Sequence, residues 1–145
     1  MAIELFDPQL VIARIAGEVT GFRKVSGAAD FAAAAPDLKQ TPAAYVFELA
    51  DRATRNSLAV MAVSQENEIR FGVILAVQNL RDATGVKAQA DMRTLRASVM
   101  DALLGWAPAP DYAVIEYGGG RLLQLDNLVL WWQDDYLTSI LLRSA

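Results

Sequence analysis

The chain has 145 residues, a net charge of −4 and 54% hydrophobic residues, and its length predicts a single domain over residues 1–145. It contains no cysteine and no histidine, which excludes disulfides, thiolate chemistry and Ser-His-Asp triads and removes the commonest zinc ligand. The negative charge argues against nucleic-acid binding as the main activity. The high apolar fraction predicts that part of the apolar surface contacts other subunits.

The sequence carries no signal for membrane insertion. Its N-terminal segment has no basic stretch followed by a long apolar run, so we expect no signal peptide. The longest apolar runs, such as Phe71–Val77 and Leu128–Trp132, are too short to cross a bilayer. We therefore expect the chain in the cytoplasm or in an assembly built there.

The first helix is predicted to begin at Asp7-Pro8, because aspartate accepts hydrogen bonds from free N–H groups and proline lacks the N–H that would go unpaired. Its apolar stripe consists of Val11, Ile12, Ile15 and Val19. Gly21 is the expected end of the helix. A short extended segment follows at Phe22–Val25, and a short alanine-rich helix is predicted at Ala28–Ala35, where a proline ends it.

Strands are predicted in the middle of the chain. One spans Ala43–Leu49, and the polar segment Asp51–Ser57 after it lacks periodicity and is predicted as a loop. Leu58–Leu80 is either one long strand or a hairpin that turns at Gln65–Glu68. We favour the long strand, because the alternative turn contains neither glycine nor proline.

The longest helix is predicted at Lys87–Leu104, after a loop at Arg81–Gly85. Its apolar residues recur at helical spacing, and they are Met92, Leu95, Val99, Leu103 and Trp106. Gly105 and Pro108 are expected to end it.

The C-terminal stretch Ile115–Arg143 is predicted as a hairpin. Its first strand runs to Leu125 and its second begins at Leu128, with a tight turn at Asp126-Asn127, residue types that tolerate positive φ. The second strand is apolar on both parities. That pattern is typical of a strand that is central and covered on both faces, or covered on one face and used for contacts on the other.

The strands cluster instead of alternating with helices. This order predicts an α+β fold, with a largely antiparallel or mixed sheet of about four to six strands and two main helices packed on one face.

Three local features contain residue types that occur in binding or catalytic sites. Gly118-Gly119-Gly120 lacks the Lys-Ser/Thr and helix of a phosphate-binding loop, so a bulge or bend is predicted. Asp134-Asp135 point to opposite faces of a strand and do not converge, which favours a solvated edge, a bulge or an intersubunit salt bridge. The two adjacent tryptophans suggest one core ring and one contact ring. No catalytic, cofactor-binding or metal-binding residue is predicted, and we expect no enzyme.

Six residues are candidates for protein contacts. Three belong to the polar segment, which is either a solvated loop or a docking loop, and the others lie in the C-terminal hairpin. They are Arg52, Arg55, Asn56, Arg121, Trp131 and Asp135.

Blocks spread over most of the chain resemble the tail-terminator proteins of tailed phages and prophages. They are Gly27–Phe31, Thr41–Val46, Glu68–Asn79, Leu103–Pro108, Tyr117–Leu123 and Leu130–Asp134. None of the blocks is a catalytic signature, and the resemblance rests on their order and spacing along the chain.

The resemblance implies an α+β fold, a homohexameric ring and a structural role in the virion. Such rings cap the growing tail tube, stop its polymerisation and present a surface to the head. The implied partners are further copies of the chain, the tail tube protein and a head–tail connector protein. Neither a cofactor, a nucleic acid nor a membrane is implied, and assembly is expected in the host cytoplasm.

The sequence is compatible with two alternative functions. A head–tail connector or another minor tail protein shares the small α+β domain and the ring symmetry. A small ligand-binding or enzymatic α+β domain would instead need converging carboxylates in a pocket.

Overall fold

The computed structural model of the chain describes residues 3–34, 40–59, 61–78, 86–126 and 129–144. These residues form three helices and five strands. In chain order they are α1 (Pro8–Glu18), β1 (Lys24–Gly27), α2 (Ala28–Ala34), β2 (Ala43–Ala53), β3 (Val63–Gln78), α3 (Val86–Leu103), β4 (Glu116–Asp126) and β5 (Val129–Ser144).

The five strands form one sheet in the order β1-β2-β3-β5-β4. β1 pairs parallel with β2, and the three other pairings are antiparallel. The prediction of a mixed, largely antiparallel sheet in an α+β fold is confirmed. β3 and β5 lie at the centre and pair along their whole lengths, from Val63 opposite Ser144 to Gln78 opposite Val129.

The two long helices lie on the same face of the sheet, as predicted. Alternate residues of the central strands pack against them, including Phe71 and Tyr136, whose rings stack with centroids 5.6 Å apart. Asp7 begins α1 as expected, since its carboxylate accepts from the Gln9 N–H at 3.0 Å. Arg14 ties α1 to the end of α3 by donating to the Ala102 carbonyl oxygen at 2.9 Å.

The short helix α2 lies on the opposite face, which we call the open face. Phe31 packs edge-on against Tyr45 and Trp131, with ring centroids 5.6 and 5.8 Å away. α2 therefore covers one end of the open face, and β5 has a covered helix side and a partly covered open side.

β3 runs without interruption through Gln65–Glu68, which pair with β5 in continuous register. The preference for a strand over a turn at these four residues is confirmed. The strand begins at Val63, however, so the prediction that it begins at Leu58 is wrong. The reason lies in the Asn56 side chain, which donates to the Ala62 carbonyl oxygen and accepts from the Ser64 N–H, and so closes a hairpin between β2 and β3.

The prediction of a loop at Asp51–Ser57 is wrong for its first three residues, which belong to β2. β2 continues to Ala53, and the pairing extends further because Thr54 N–H donates to the Glu66 carbonyl oxygen. Residues of β2 from Glu48 onward are exposed. The apolar alternation disappears there because this end of the strand has left the core, and the strand itself continues.

α1 ends at Glu18 and not at the predicted Gly21, because the backbone is already extended at Val19. The other boundaries shift by one or two residues or fall outside the described residues. β1 lies at Lys24–Gly27, where an extended segment at Phe22–Val25 was predicted, and α3 lies one residue earlier than predicted at both ends. The hairpin of β4 and β5 is confirmed by the pairing of Leu125 with Leu130. The predicted turn at Asp126-Asn127 is wrong for its first residue, because Asp126 still belongs to β4 and pairs with Val129. Position 127, the loop at positions 81–85 and the end of the alanine-rich helix at positions 35–36 lie outside the described residues.

Candidate assembly surface

The two adjacent aspartates of β5 lie on opposite faces of the sheet, as strand geometry predicts. Asp134 points to the helix face, where it meets Arg96 of α3. Asp135 points to the open face, where it meets Arg70 and Arg121. Both carboxylates are therefore held in ion pairs within the chain, and an intersubunit salt bridge is not needed to explain either of them.

Asp134 is the centre of a hydrogen-bonded group, the Asp134 cluster, which consists of Asp134, Arg96, Tyr117 and Trp132. Arg96 Nε donates to Asp134 Oδ2 at 2.9 Å and Arg96 Nη2 to Oδ1 at 3.0 Å. The Tyr117 hydroxyl and Trp132 Nε1 both donate to Oδ1 at 2.9 Å. The Arg96 guanidinium also stacks over the Trp132 ring at 4.3 Å. The cluster fixes α3 to the two C-terminal strands.

Electrostatics in the Asp134 cluster follow from its burial. The carboxylate is only 1% exposed, and its hydrogen bond with Arg96 raises the pKa of that guanidinium further. Burial, together with the hydrogen bond to Asp134, raises the pKa of Tyr117. Both groups therefore keep the protonation states in which they donate to the carboxylate.

The glycine triplet makes room for this cluster. A Cβ at Gly120 would overlap Asp134 Oδ1 and lie 2.7 Å from the Tyr117 hydroxyl, which is too close for any side chain. Gly119 has φ +114, a conformation that favours glycine. The register with β5 shifts between Tyr117 and Gly119, so the predicted bulge is confirmed.

The open face carries a second charged group. Arg70 Nη1 lies 3.1 Å from Asp135 Oδ2, and Arg121 Nη1 lies 3.6 Å from the same oxygen. Gln133 Nε2 donates to Asp135 Oδ1 at 2.7 Å. The Arg121 side chain is 58% exposed, so this candidate contact residue presents its guanidinium to solvent while Asp135 stays largely buried beneath it.

Trp131 lies mostly inside the chain. It is 8% exposed and packs with Phe31, so only the rim of the ring is available to a partner. Trp131 and Phe31 line a shallow depression with Leu123 and Gln124, at the border between the open face and β4. Trp132 also has its contacts within the chain, since it belongs to the Asp134 cluster.

The hairpin between β2 and β3 projects past the core. We call residues 52–59 and 61–62 the β2–β3 tip. Arg52 and Arg55 are exposed there, and neither has an ion pair with any described residue. Met61 is fully exposed, at 103% of its reference area. Asn56 instead shapes the turn through its hydrogen bonds, so a purely structural role accounts for it.

The outer strand β4 carries exposed leucines that the sequence analysis did not include among the candidate contact residues. Leu122, Leu123 and Leu125 are 52%, 40% and 51% exposed on this edge strand. The signal was present in the sequence as leucines at both parities in the first strand of the predicted hairpin. An edge strand has a neighbouring strand on one side only. Apolar residues on both of its faces are therefore partly exposed, and a strand from another molecule can cover them.

The described residues contain no group of three or more acidic side chains placed to hold a metal ion. None of their helices is long and apolar enough to span a bilayer.

An α+β subunit with an apolar strand edge, a protruding hairpin and its central carboxylates held in ion pairs has the features of a structural assembly protein. A family model described as "Phage tail terminator protein" matches residues 1–145, the whole chain. The chain therefore belongs to the phage tail terminator family, as the resemblance of its sequence blocks indicated. It is a structural protein of the phage tail and a component of the virion. A search of curated proteins finds no match.

Proposed function

We propose that the protein forms a ring, a hexamer by resemblance to its family, that caps the phage tail tube, ends its polymerisation and offers the surface to which the head joins. Assembly takes place in the host cytoplasm, with further copies, the tail tube protein and a head–tail connector protein as partners. The observation that carries the proposal is that apolar side chains are exposed on two separate parts of the subunit, the β4 edge and the β2–β3 tip. A cap subunit needs one surface for its neighbours in the ring and another for the tube.

The β2–β3 tip is the surface that we assign to the tube. Its two arginines have no ion pair with a described residue, and its apolar side chains Met61 and Leu58 are 103% and 42% exposed. Exposed apolar and basic side chains in one hairpin suit a partner surface that has an apolar pocket and acidic residues. The paired strands behind the tip hold it in place, because Thr54 and Ser57 continue the pairing with β3.

The cap ends growth by shape. A ring that is complementary to the last tube layer on one side adds once, and its other side does not reproduce the surface on which the next tube layer would assemble. No bond is made or broken in this mechanism. The protein acts by occupying the end of the tube.

The experiment mixes the purified protein with tail tubes of the same phage and images the tube ends by electron microscopy. We expect a ring on the ends and tubes that stop growing. The double variant Arg55→Glu/Met61→Asp is expected to lose capping, since it reverses one charge of the tip and replaces its most exposed apolar side chain with a carboxylate. The matched control Arg93→Glu changes an exposed arginine on α3 that has no ion pair with a described residue, and it is expected to cap normally. Wild-type protein that leaves tubes growing with bare ends would overturn the proposal.

A further inference from the structure

β4 has an open outer edge. It is the last strand of the sheet, and β5 is the strand that pairs with it. Natural edge strands are commonly protected by lysine, proline or short length. β4 has 11 residues with no lysine and no proline, and it exposes three leucines. Such an edge favours the addition of a strand from another molecule.

The same edge is held in a fixed position. Pairing with β5 runs from Glu116 to Asp126 apart from two register shifts, and the Asp134 cluster attaches Tyr117 to α3. A strand that is already ordered loses little conformational entropy when it pairs. The edge is therefore organised for binding before a partner arrives.

The opposite border of the sheet is β1, whose outer edge also pairs with no described residue. The pairings fix the strand directions: β1 runs with β2 and β5, whereas β3 and β4 run the other way. When a second copy continues the sheet in the same orientation, its β1 runs antiparallel to β4. The two open borders are thus compatible in direction.

We propose that β4 of one copy pairs with β1 of the next copy, head to tail, so that the sheets join around the ring. This inference rests on the proposed function, and it identifies the contact between ring subunits. A head-to-tail contact repeats at every subunit and generates a ring when the rotation closes.

One antiparallel register fits the faces of both strands. It sets Val25 opposite Leu125, and both residues lie on the helix face, because their partners in the chain are Ala44 and Leu130. It sets Ser26 opposite Gln124 on the open face. Apolar pairs of this kind stabilise antiparallel strands.

Pairing of β4 with a second β4 is less favourable. Full overlap of two antiparallel copies of Glu116–Asp126 centres on Arg121 and sets it opposite its own copy. Like charges directly opposite each other destabilise a strand pair. The basic charge at the middle of β4 therefore favours the head-to-tail contact.

Cysteine cross-linking tests the contact directly, since the natural chain has no cysteine. The double variant Val25→Cys/Leu125→Cys is oxidised at increasing protein concentration, with and without tail tubes, and separated on a non-reducing gel. A bond within one chain is excluded, because four strand spacings place β1 and β4 about 19 Å apart and a disulfide needs Cα atoms within about 7 Å. We expect a ladder of products that extends beyond the dimer.

Single variants and a displaced pair serve as controls. Val25→Cys alone and Leu125→Cys alone are expected to stay monomeric, as is the pair Val25→Cys/Leu141→Cys, whose second residue lies on the interior strand β5. Leu125→Lys is expected to weaken subunit association roughly tenfold or more, because a leucine no longer becomes buried.

Each outcome bears on the proposal. A ladder in either condition, with or without tubes, supports it. The absence of a ladder in both conditions overturns it, and so does a dimer from Leu125→Cys alone, which would show that Leu125 of one copy meets Leu125 of another instead of Val25. A ladder from a protein that does not cap tubes would refute the proposed function and leave this contact standing, whereas capping without a ladder would refute only the contact.

Discussion

The two aspartates at positions 134 and 135 sit in two regions with different tasks. Asp134 lies on the helix face in a network that joins α3, β4 and β5, and it is 1% exposed. Asp135 lies on the open face, where its partners Arg70 and Arg121 are 41% and 58% exposed. Asp134 therefore stabilises the subunit, whereas Asp135 anchors charged side chains at its surface. The difference arises because adjacent residues of a strand point to opposite faces of the sheet.

The largest expected effect is at Asp134. Asp134→Asn keeps the size of the side chain but leaves Arg96 without its anionic partner, and the free energy of unfolding is expected to fall by about 3 kcal/mol. Asp135→Asn is expected to cost about 1 kcal/mol, because its arginines are solvated. Urea unfolding of both variants measures the difference. Equal losses would contradict the division between the two faces.

The next effect concerns the glycine triplet. Gly120→Ala forces a Cβ into the Asp134 cluster and is expected to destabilise the fold by about 2 kcal/mol. The matched control is Gly17→Ala in α1, where a Cβ meets no atom within 4 Å. Alanine favours a helix, so this variant is expected to gain about 0.5 kcal/mol or more. Urea unfolding gives both values, and a Gly120→Ala variant as stable as the wild type would remove the proposed role of the triplet.

A smaller effect of opposite sign is expected at Tyr136. Its hydroxyl is buried and has no hydrogen-bond partner among the described residues, so Tyr136→Phe is expected to stabilise the fold by about 1 kcal/mol. Burial, assisted by the nearby Asp134, raises the pKa of this phenol far above its ordinary value of 10.0. The folded state therefore holds the proton more tightly than the unfolded state, and the stability present below pH 10 is lost as the pH rises above that value.

The pH dependence of stability gives a second test of the role of Tyr136. Urea midpoints at about pH 8 and pH 10.5 are expected to fall more for the wild type than for Tyr136→Phe. An equal fall in the urea midpoint of the two proteins would show that deprotonation of the Tyr136 phenol is not coupled to unfolding.

The smallest expected change in stability is at the β4 edge. Leu125→Lys alters a residue that is 51% exposed, so the free energy of unfolding is expected to stay within about 0.5 kcal/mol of the wild type. Its association is expected to weaken all the same. A large loss of stability would mean that Leu125 belongs to the core of the single subunit.

The sequence predicted those strands in which apolar and polar residues alternate. Ile69, Phe71 and Val73 alternate because their side chains meet the helices, and this alternation predicted the central strand. The pattern failed beyond the core. Residues 51–53, of which Asp51 and Arg52 are charged, form a strand because β3 pairs with them, and a tertiary partner of that kind leaves no periodicity in the sequence.

The candidate contact residues differ in where the structure places them. Arg52, Arg55 and Arg121 are exposed, but the roles of Asn56 and Asp135 within the chain depend on side chains distant in sequence, which spacing does not reveal. The leucines of β4 were overlooked because an apolar strand looks the same in sequence whether it lies at the centre or at the edge of a sheet. Strand order decides that difference.

The most direct test of the account is the length of tail tubes over time after the folded protein is added during polymerisation. The account predicts that wild-type protein stops growth at once and leaves a ring on the tube end, whereas Arg55→Glu/Met61→Asp allows growth to continue. Tubes that lengthen equally with wild type, variant and no added protein would contradict it.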